Sequence, residues 1–101
     1  MKSLDCISAM KALGEENRLR IMRRLLQGPS SVNDLADTLT ISAYNVSKHL
    51  RILREAGLVA QRKLAQLRLY QVAPEFAAHL QENDQVLNLG CCQFDFSKLN
   101  D

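Results

Sequence analysis

The run of residues 40–59, TISAYNVSKHLRILREAGLV, constrains the fold of this chain more than any other stretch. Val46, Leu50 and Leu53 recur at i, i+4 and i+7, a stripe that turns one side of a helix toward a core. Ser42 stands where a hydroxyl can accept a free backbone N–H at the helix start. Gly57 stands where a residue of positive φ ends a helix. Tyr44, Lys48 and Arg51 fall opposite the stripe, with Asn45, Ser47 and His49 on its flanks. That outer face carries charge and can both donate and accept hydrogen bonds. Helical period alone describes a solvated amphipathic helix equally well.

The neighbouring segments separate the two readings. Residues 3–13 read as a first helix through Leu4, Ile7, Met10 and Leu13, stopped at Gly14. A second runs over 15–27, with Glu15 and Glu16 complementing the dipole at its start. Leu19, Met22, Leu25 and Leu26 form its buried stripe; Arg18, Arg20, Arg23 and Arg24 read as a solvated face with one available to a phosphate. Gly28-Pro29 ends it. Ser31 with Asp34 has the spacing of a capping box for a third helix carrying Val32, Leu35, Ala36 and Leu39. Thr40-Ile41 is a tight turn. After Gly57, strands over 58–63 and 67–72 flank a tip at Leu64-Ala65-Gln66. Pro74 opens a last helix that reaches Asp84 or Leu87, with Phe76 and Leu80 apolar and Val86 and Leu87 near its end. Residues 88–101 form a tail whose Phe94, Phe96 and Leu99 imply that part of it packs.

This order predicts a mainly α fold with a small β-hairpin, a winged helix-turn-helix of the sequence α-α-α-α-β-β-α. In such a fold the second helix of the motif reads base edges. Residues 1–88 make the DNA-binding and dimerisation domain, and 89–101 a C-terminal tail with a cysteine pair. The first and last helices are too sparsely apolar to pack alone, so they are expected to pack together and against a second copy.

Charge supports a nucleic-acid partner through its placement. The net charge is only +2, yet residues 41–70 hold six basic side chains (Lys48, Arg51, Arg54, Arg62, Lys63, Arg68) against Glu55, a net of +5. The remaining seven basic and ten acidic side chains give −3. A positive face on a near-neutral body fits a phosphate footprint. Arg62, Lys63 and Arg68 beside the hairpin tip would reach the backbone or minor groove. No signal peptide or membrane-length apolar run is visible, so a cytoplasmic protein with no membrane partner is expected. Its three cysteines, Cys6, Cys91 and Cys92, then read as reduced thiols, ligands or redox sensors rather than a disulfide framework.

The runs Asn17-Arg18-Leu19-Arg20-Ile21-Met22, Val32-Asn33-Asp34-Leu35-Ala36, Val46-Ser47-Lys48-His49-Leu50 and Leu53-Arg54-Glu55-Ala56-Gly57-Leu58-Val59, with Tyr70, resemble the ArsR/SmtB family of bacterial repressors. The resemblance spans about residues 5–80. It implies a homodimeric winged helix on operator DNA, an imperfect inverted repeat, released by a metal, metalloid or thiol signal. By family position Ser42, Tyr44, Asn45, Ser47, Lys48 and His49 are contact candidates; the helix face adds Arg51. Ala65 departs from the pattern, because many members carry Gly near the wing tip.

The family's sensor positions are mostly vacant here. No Cys-x-Cys lies near residues 32–36. His79 and Glu82 match one half of a zinc site on the last helix, but no Asp-x-His precedes them, so His79 reads as an ordinary helix histidine. Cys91-Cys92 remains. Soft thiolates favour soft ions, and some members bind As(III) or Sb(III) through a C-terminal cysteine pair. An extended strand would split the two sulfurs, and Gly90 offers the bend that joins them. Cys6, which also reads as a core residue, is the available third thiolate, within or across subunits. Redox or persulfide switching is the alternative. A winged helix used only for protein contact is a further one, against which the basic run argues. A thiol enzyme would need a phosphate cradle that Gly90-Cys91-Cys92 lacks, and no catalytic set is evident, so a non-enzyme is expected.

Overall fold

A computed structural model describes residues 5–98, so Leu4 and Leu99 lie outside the described residues. The order is α1 (Cys6–Leu13), α2 (Glu16–Leu26), α3 (Val32–Leu39), α4 (Ala43–Glu55), β1 (Val59–Leu64), β2 (Leu67–Val72), α5 (Pro74–Glu82), β3 (Val86–Asn88) and β4 (Gln93–Asp95).

Local signals set most of these boundaries. Ser31 accepts the Asp34 N–H and Ser42 the Asn45 N–H, so each hydroxyl satisfies a donor that its helix leaves free. Between α3 and α4 Thr40 takes φ 56°, and the Ile41 N–H returns to the Ala36 carbonyl at 3.1 Å. At the end of α4, Gly57 takes φ 82°; its N–H reaches the Arg54 carbonyl and that of Leu58 reaches Leu53, both at 3.0 Å. These are the paired bonds of a Schellman cap, and they throw the chain directly into β1.

One core joins the elements. Ile21, Met22 and Leu25 of α2 meet Leu35 of α3, and Val46, Leu50 and Leu53 of α4, all buried. The β1–β2 hairpin is antiparallel, with Val59 opposite Val72 at its buried base and Leu64 opposite Leu67 at its tip. The expected three-residue tip is therefore a two-residue turn, Ala65-Gln66. Ala65 takes φ 57°, the region glycine enters without a Cβ penalty. Ser30 forms a single antiparallel bridge beside β2, exchanging bonds of 3.0 and 2.8 Å with Tyr70.

The C-terminal part departs from expectation. The last helix stops at Glu82, because Asp84 and Gln85 take φ 54° and 67° and no right-handed helix passes through them. The Gln85 N–H closes the turn on the Leu80 carbonyl at 2.7 Å. Val86 and Leu87 thus belong to a strand, not to the helix end. β3 pairs antiparallel with β4, so residues on both sides of the 88/89 boundary share a ladder. Phe96 lies in the core, with its ring edge-on to Phe76 at 5.8 Å. Within one chain α1 packs on α2 and α4, burying Ala9, Ala12 and Leu13, and α5 packs on β3.

Candidate nucleic-acid interface and thiol site

The α4 face opposite the core is open. Tyr44 is 73% exposed, and Asn45, Ser47, Lys48 and Arg51 are exposed beside it. The Lys48 ammonium lies 5.4 Å from the centre of the Tyr44 ring, one helical turn away. A cation at that distance is held by the ring's negative face. Arg51 pairs with Glu55 at 3.4 Å, a solvated i,i+4 contact that a phosphate could displace. Ser42 is also exposed, but its hydroxyl is occupied by the helix cap.

His49 does not share this face. Burial and its neighbours turn it toward the start of α2, where its Nδ1 lies 3.3 Å from Arg18 Nη1 and 3.6 Å from Glu15 Oε2. Arg18 can only donate, so Nδ1 accepts and the proton of the neutral ring sits on Nε2. Burial depresses the His49 pKa below 6.5; the Glu15 carboxylate pulls it up, while the charges of Arg18 and Lys48 push it further down. Burial pushes Glu15 up, but the N–H groups of Asn17 and Arg18 and the charges of His49 and Arg18 together hold it below 4.5.

Folded His49 binds a proton more weakly than unfolded His49, so acid favours the unfolded chain. Stability should fall as the pH drops through about 6.5 toward the depressed value. His49→Gln should flatten that fall, as read from urea midpoints measured between about pH 7.5 and 5.5.

The arginines of α2 are not a free solvated row. Arg18 donates to the carbonyls of Ala12 at 2.6 Å and Lys11 at 3.3 Å, closing the C-terminal end of α1. Arg20 reaches the Leu39 carbonyl at 2.7 Å, at the end of α3, and Arg23 the Phe96 carbonyl at 3.0 Å. Each satisfies a backbone acceptor of another element, a role that no local pattern announces.

On the wing, cross-strand register assigns faces. Lys63 stands opposite Arg68, with Gln61 and Tyr70 on the next rung of the same face, bonded at 3.0 Å. Arg62 stands opposite Leu69 on the other face. All three cations are exposed. A groove of about 530 Å³ runs between α4 and the wing, lined by Arg51, Arg54, Glu55, Val59, Ala60 and Gln61. The open face of α4 and the base of the wing therefore flank one groove, which holds Arg51 and Arg54 beside Glu55.

The cysteines were expected to be reduced thiols, ligands or redox sensors rather than a disulfide framework, and the structure joins two of them. Cys6 at the start of α1 and Cys91 in the β3–β4 turn form a disulfide within one chain, Cα atoms 6.3 Å apart. Gly90, at φ 89°, supplies the expected bend, but it carries Cys91 to Cys6 rather than to Cys92. Cys92 is a free, half-buried thiol whose carbonyl accepts the Leu89 N–H at 2.9 Å. Among the described residues no group of three or more His, Cys, Asp and Glu is gathered for a metal ion. His79 Nδ1 lies 3.5 Å from the side-chain amide of Asn83, the residue that caps its helix. No helix among the described residues is long and apolar enough to cross a membrane.

Residues 15–61 match the family model described as bacterial regulatory protein, arsR family. The chain is 40% identical over 72 residues to the HTH-type transcriptional regulator Rv2034 of Mycobacterium tuberculosis, covering 71% of this chain and 67% of that protein. The chain belongs to the ArsR family. It is also similar to the arsenical resistance operon repressor of Escherichia coli, at 37% identity over 77% of this chain and 68% of that protein. It thus spans about two thirds of the length of both relatives. Among solved structures, fragment 1–100 of Mb0332 from Mycobacterium bovis, described as a homodimeric winged helix-turn-helix DNA-binding domain, superposes with a TM-score of 0.69. The identity is 30%, and the match covers 78% of this chain and 73% of that one. ArsR-family proteins are transcriptional regulators rather than enzymes. The fold agrees with the winged helix-turn-helix expected from the sequence, extended by the β3–β4 hairpin.

Proposed function

We propose that this ArsR-family regulator binds operator DNA as a homodimer and is controlled through the Cys6–Cys91 thiols. The observation that carries DNA binding is the exposed row Tyr44, Asn45, Ser47, Lys48 and Arg51 over a buried Val46–Leu50–Leu53 stripe. Two such helices enter successive major grooves about 34–36 Å apart, which requires an imperfect inverted repeat. Lys48 pairs with guanine and Asn45 with adenine. Arg62, Lys63 and Arg68 hold phosphates. Ile7, 49% exposed on α1, is available to a second copy.

Lys48→Ala should cost about 1–3 kcal/mol on the preferred operator and relax its sequence preference. Arg62→Ala or Arg68→Ala should weaken every duplex alike and lower the salt slope by about one. Gel-shift titrations on a duplex selected from a random pool read both effects. Unchanged affinity of Lys48→Ala would remove the assigned helix orientation.

The effector reading rests on the joined sulfurs. The two thiols of Cys6 and Cys91 reduce a peroxide to two waters (or a peroxide ROOH to ROH and one water) and become the disulfide. That bond ties α1, which packs on α4, to the C-terminal hairpin. Oxidation therefore acts on the element behind the recognition helix, and release of DNA follows. A second reading keeps the same sulfurs: when reduced, Cys6 and Cys91 offer two soft donors to As(III) or Sb(III), with Cys92 next in the chain as the third. Its support is the proximity of the pair and the likeness to an arsenical resistance repressor.

Gel shifts with peroxide, arsenite, antimonite, zinc and cadmium, on wild type and on Cys6→Ser, Cys91→Ser and Cys92→Ser, separate the readings. Redox control requires peroxide release that disappears in the Cys6 and Cys91 variants and survives in Cys92→Ser. Metalloid control requires release by arsenite under reducing conditions that all three variants lose.

A further inference from the structure

The outermost rung of the wing is apolar. Leu64 and Leu67 face each other across the last register pair and are 59% and 52% exposed. Arg62 and Leu69 lie on the next rung but one toward the base, on the same face; Lys63 and Arg68 lie on the opposite face one rung below the tip. No acidic residue occurs between Glu55 and Glu75. The hairpin thus carries an exposed leucine pair on one face beside its turn, with Arg62 on that face and Lys63 and Arg68 on the other. Two leucines at a solvent-exposed tip contribute nothing to the core, and water penalises their exposure. A partner that covers them must also accept three flanking cations without any anion in return.

The geometry points to the minor groove of duplex DNA as that partner, with Leu64 and Leu67 as a wedge that opens a base step and bends the duplex. This rests on the operator-binding reading. Cations placed beside the tip bind the phosphates that line both walls of a groove, while the leucines meet the sugars and base edges at its floor. Apolar side chains inserted between base steps partly unstack them and kink the duplex. Specificity then arises at positions the recognition helix never touches, because pyrimidine–purine steps open at lower cost than others. The positive φ of Ala65 keeps the turn to two residues, so the leucine pair stands directly behind the Ala65-Gln66 apex.

The test uses the full chain and a duplex selected by it from random-sequence DNA. The duplex carries 2-aminopurine at successive positions under each wing and a donor–acceptor dye pair at its ends. Wild type should bend the duplex by about 20° or more and raise the fluorescence of one step at least about twofold, as unstacking predicts. Leu64→Ser/Leu67→Ser should bind the same duplex at saturation without the rise and with a smaller bend. Its salt slope should equal that of wild type, since leucine releases no counterions. A straight, fully stacked duplex under wild type overturns the wedge, and so does a double variant that keeps both signals. A double variant that loses self-association instead shows the tip to be a contact between copies, which also overturns it. Failure of wild type to select any duplex would instead refute operator binding, and the wedge with it.

Discussion

Phe96→Ala is expected to cost about 3–5 kcal/mol, the range for emptying a buried aromatic site. Phe96 is 2% exposed and meets the fully buried Phe76 edge-on, with the tilted ring of Phe94 at 6.4 Å. The Phe96 N–H donates to the Gln85 carbonyl at 2.9 Å, and its carbonyl accepts from Arg23. The ring therefore pins the β3–β4 hairpin to α5, while the backbone beside it pins that hairpin to α2. Truncation leaves those backbone bonds without the packing that shields them from water. At roughly 4–8 °C per kcal/mol for a domain of this size, the melting temperature should fall by more than 10 °C. A second readout separates this from a generic core defect. The same hairpin carries Cys91, so the Cys6–Cys91 bond in the variant should be reduced faster by dithiothreitol under native conditions. A core truncation of similar cost placed elsewhere, Leu35→Ala, should leave the reduction rate nearer to wild type.

The contrast between Phe96 and Leu50 shows which parts of the structure the sequence made legible. Leu50 shares a stripe with Val46 and Leu53, and its helix is bounded by Ser42 and Gly57, whose cap bonds form within six residues. Everything needed to place that helix is local. The α3–α4 turn was also readable as a turn, although Thr40 takes its positive φ without a glycine to signal it. The C-terminal region failed for the opposite reason. Phe76, Leu80 and Leu87 continue a helical period, and nothing in Asp84-Gln85 announces two left-handed residues in succession. The hairpin exists because Phe96 finds Phe76, a tertiary contact invisible to any window. Likewise His49 lies on the flank of the open face, and only the position of Glu15 and Arg18 turns it inward. Three of the four arginines of α2, Arg18, Arg20 and Arg23, look like part of a solvated row until the carbonyls they serve are brought beside them.

The disulfide is the clearest case of long-range structure, and it carries the second large effect. Cys6 and Cys91 are 85 residues apart, so their bond closes nearly the whole described chain into one loop. Loop-closure entropy for that length approaches about 4–5 kcal/mol at 25 °C, and measured disulfides commonly deliver about 2–4. Cys6→Ser should therefore lower the urea-derived stability of the oxidised protein by about 2–4 kcal/mol. It should leave the reduced protein nearly unchanged, because serine replaces a half-buried thiol of similar size. Cys91→Ser should behave alike, and Cys6→Ser/Cys91→Ser should cost no more than either single variant, since both remove one bond. Cys92→Ser, which leaves the bond intact, should change stability by less than about 1 kcal/mol. The redox dependence distinguishes this from loss of packing: a thiol that mattered through its contacts would cost the same with and without dithiothreitol. If the oxidised and reduced forms of wild type unfolded at the same urea concentration, the bond would constrain nothing, and a switch acting through α1 would lose its physical basis. If they differ as expected, the bond constrains the unfolded chain, and control of DNA binding requires in addition a free-energy difference between two folded states. A regulator that shifts from 99:1 to 1:99 occupancy needs about 5.5 kcal/mol of differential free energy. That difference is read from the ratio of operator affinities of the oxidised and the reduced protein, not from their unfolding.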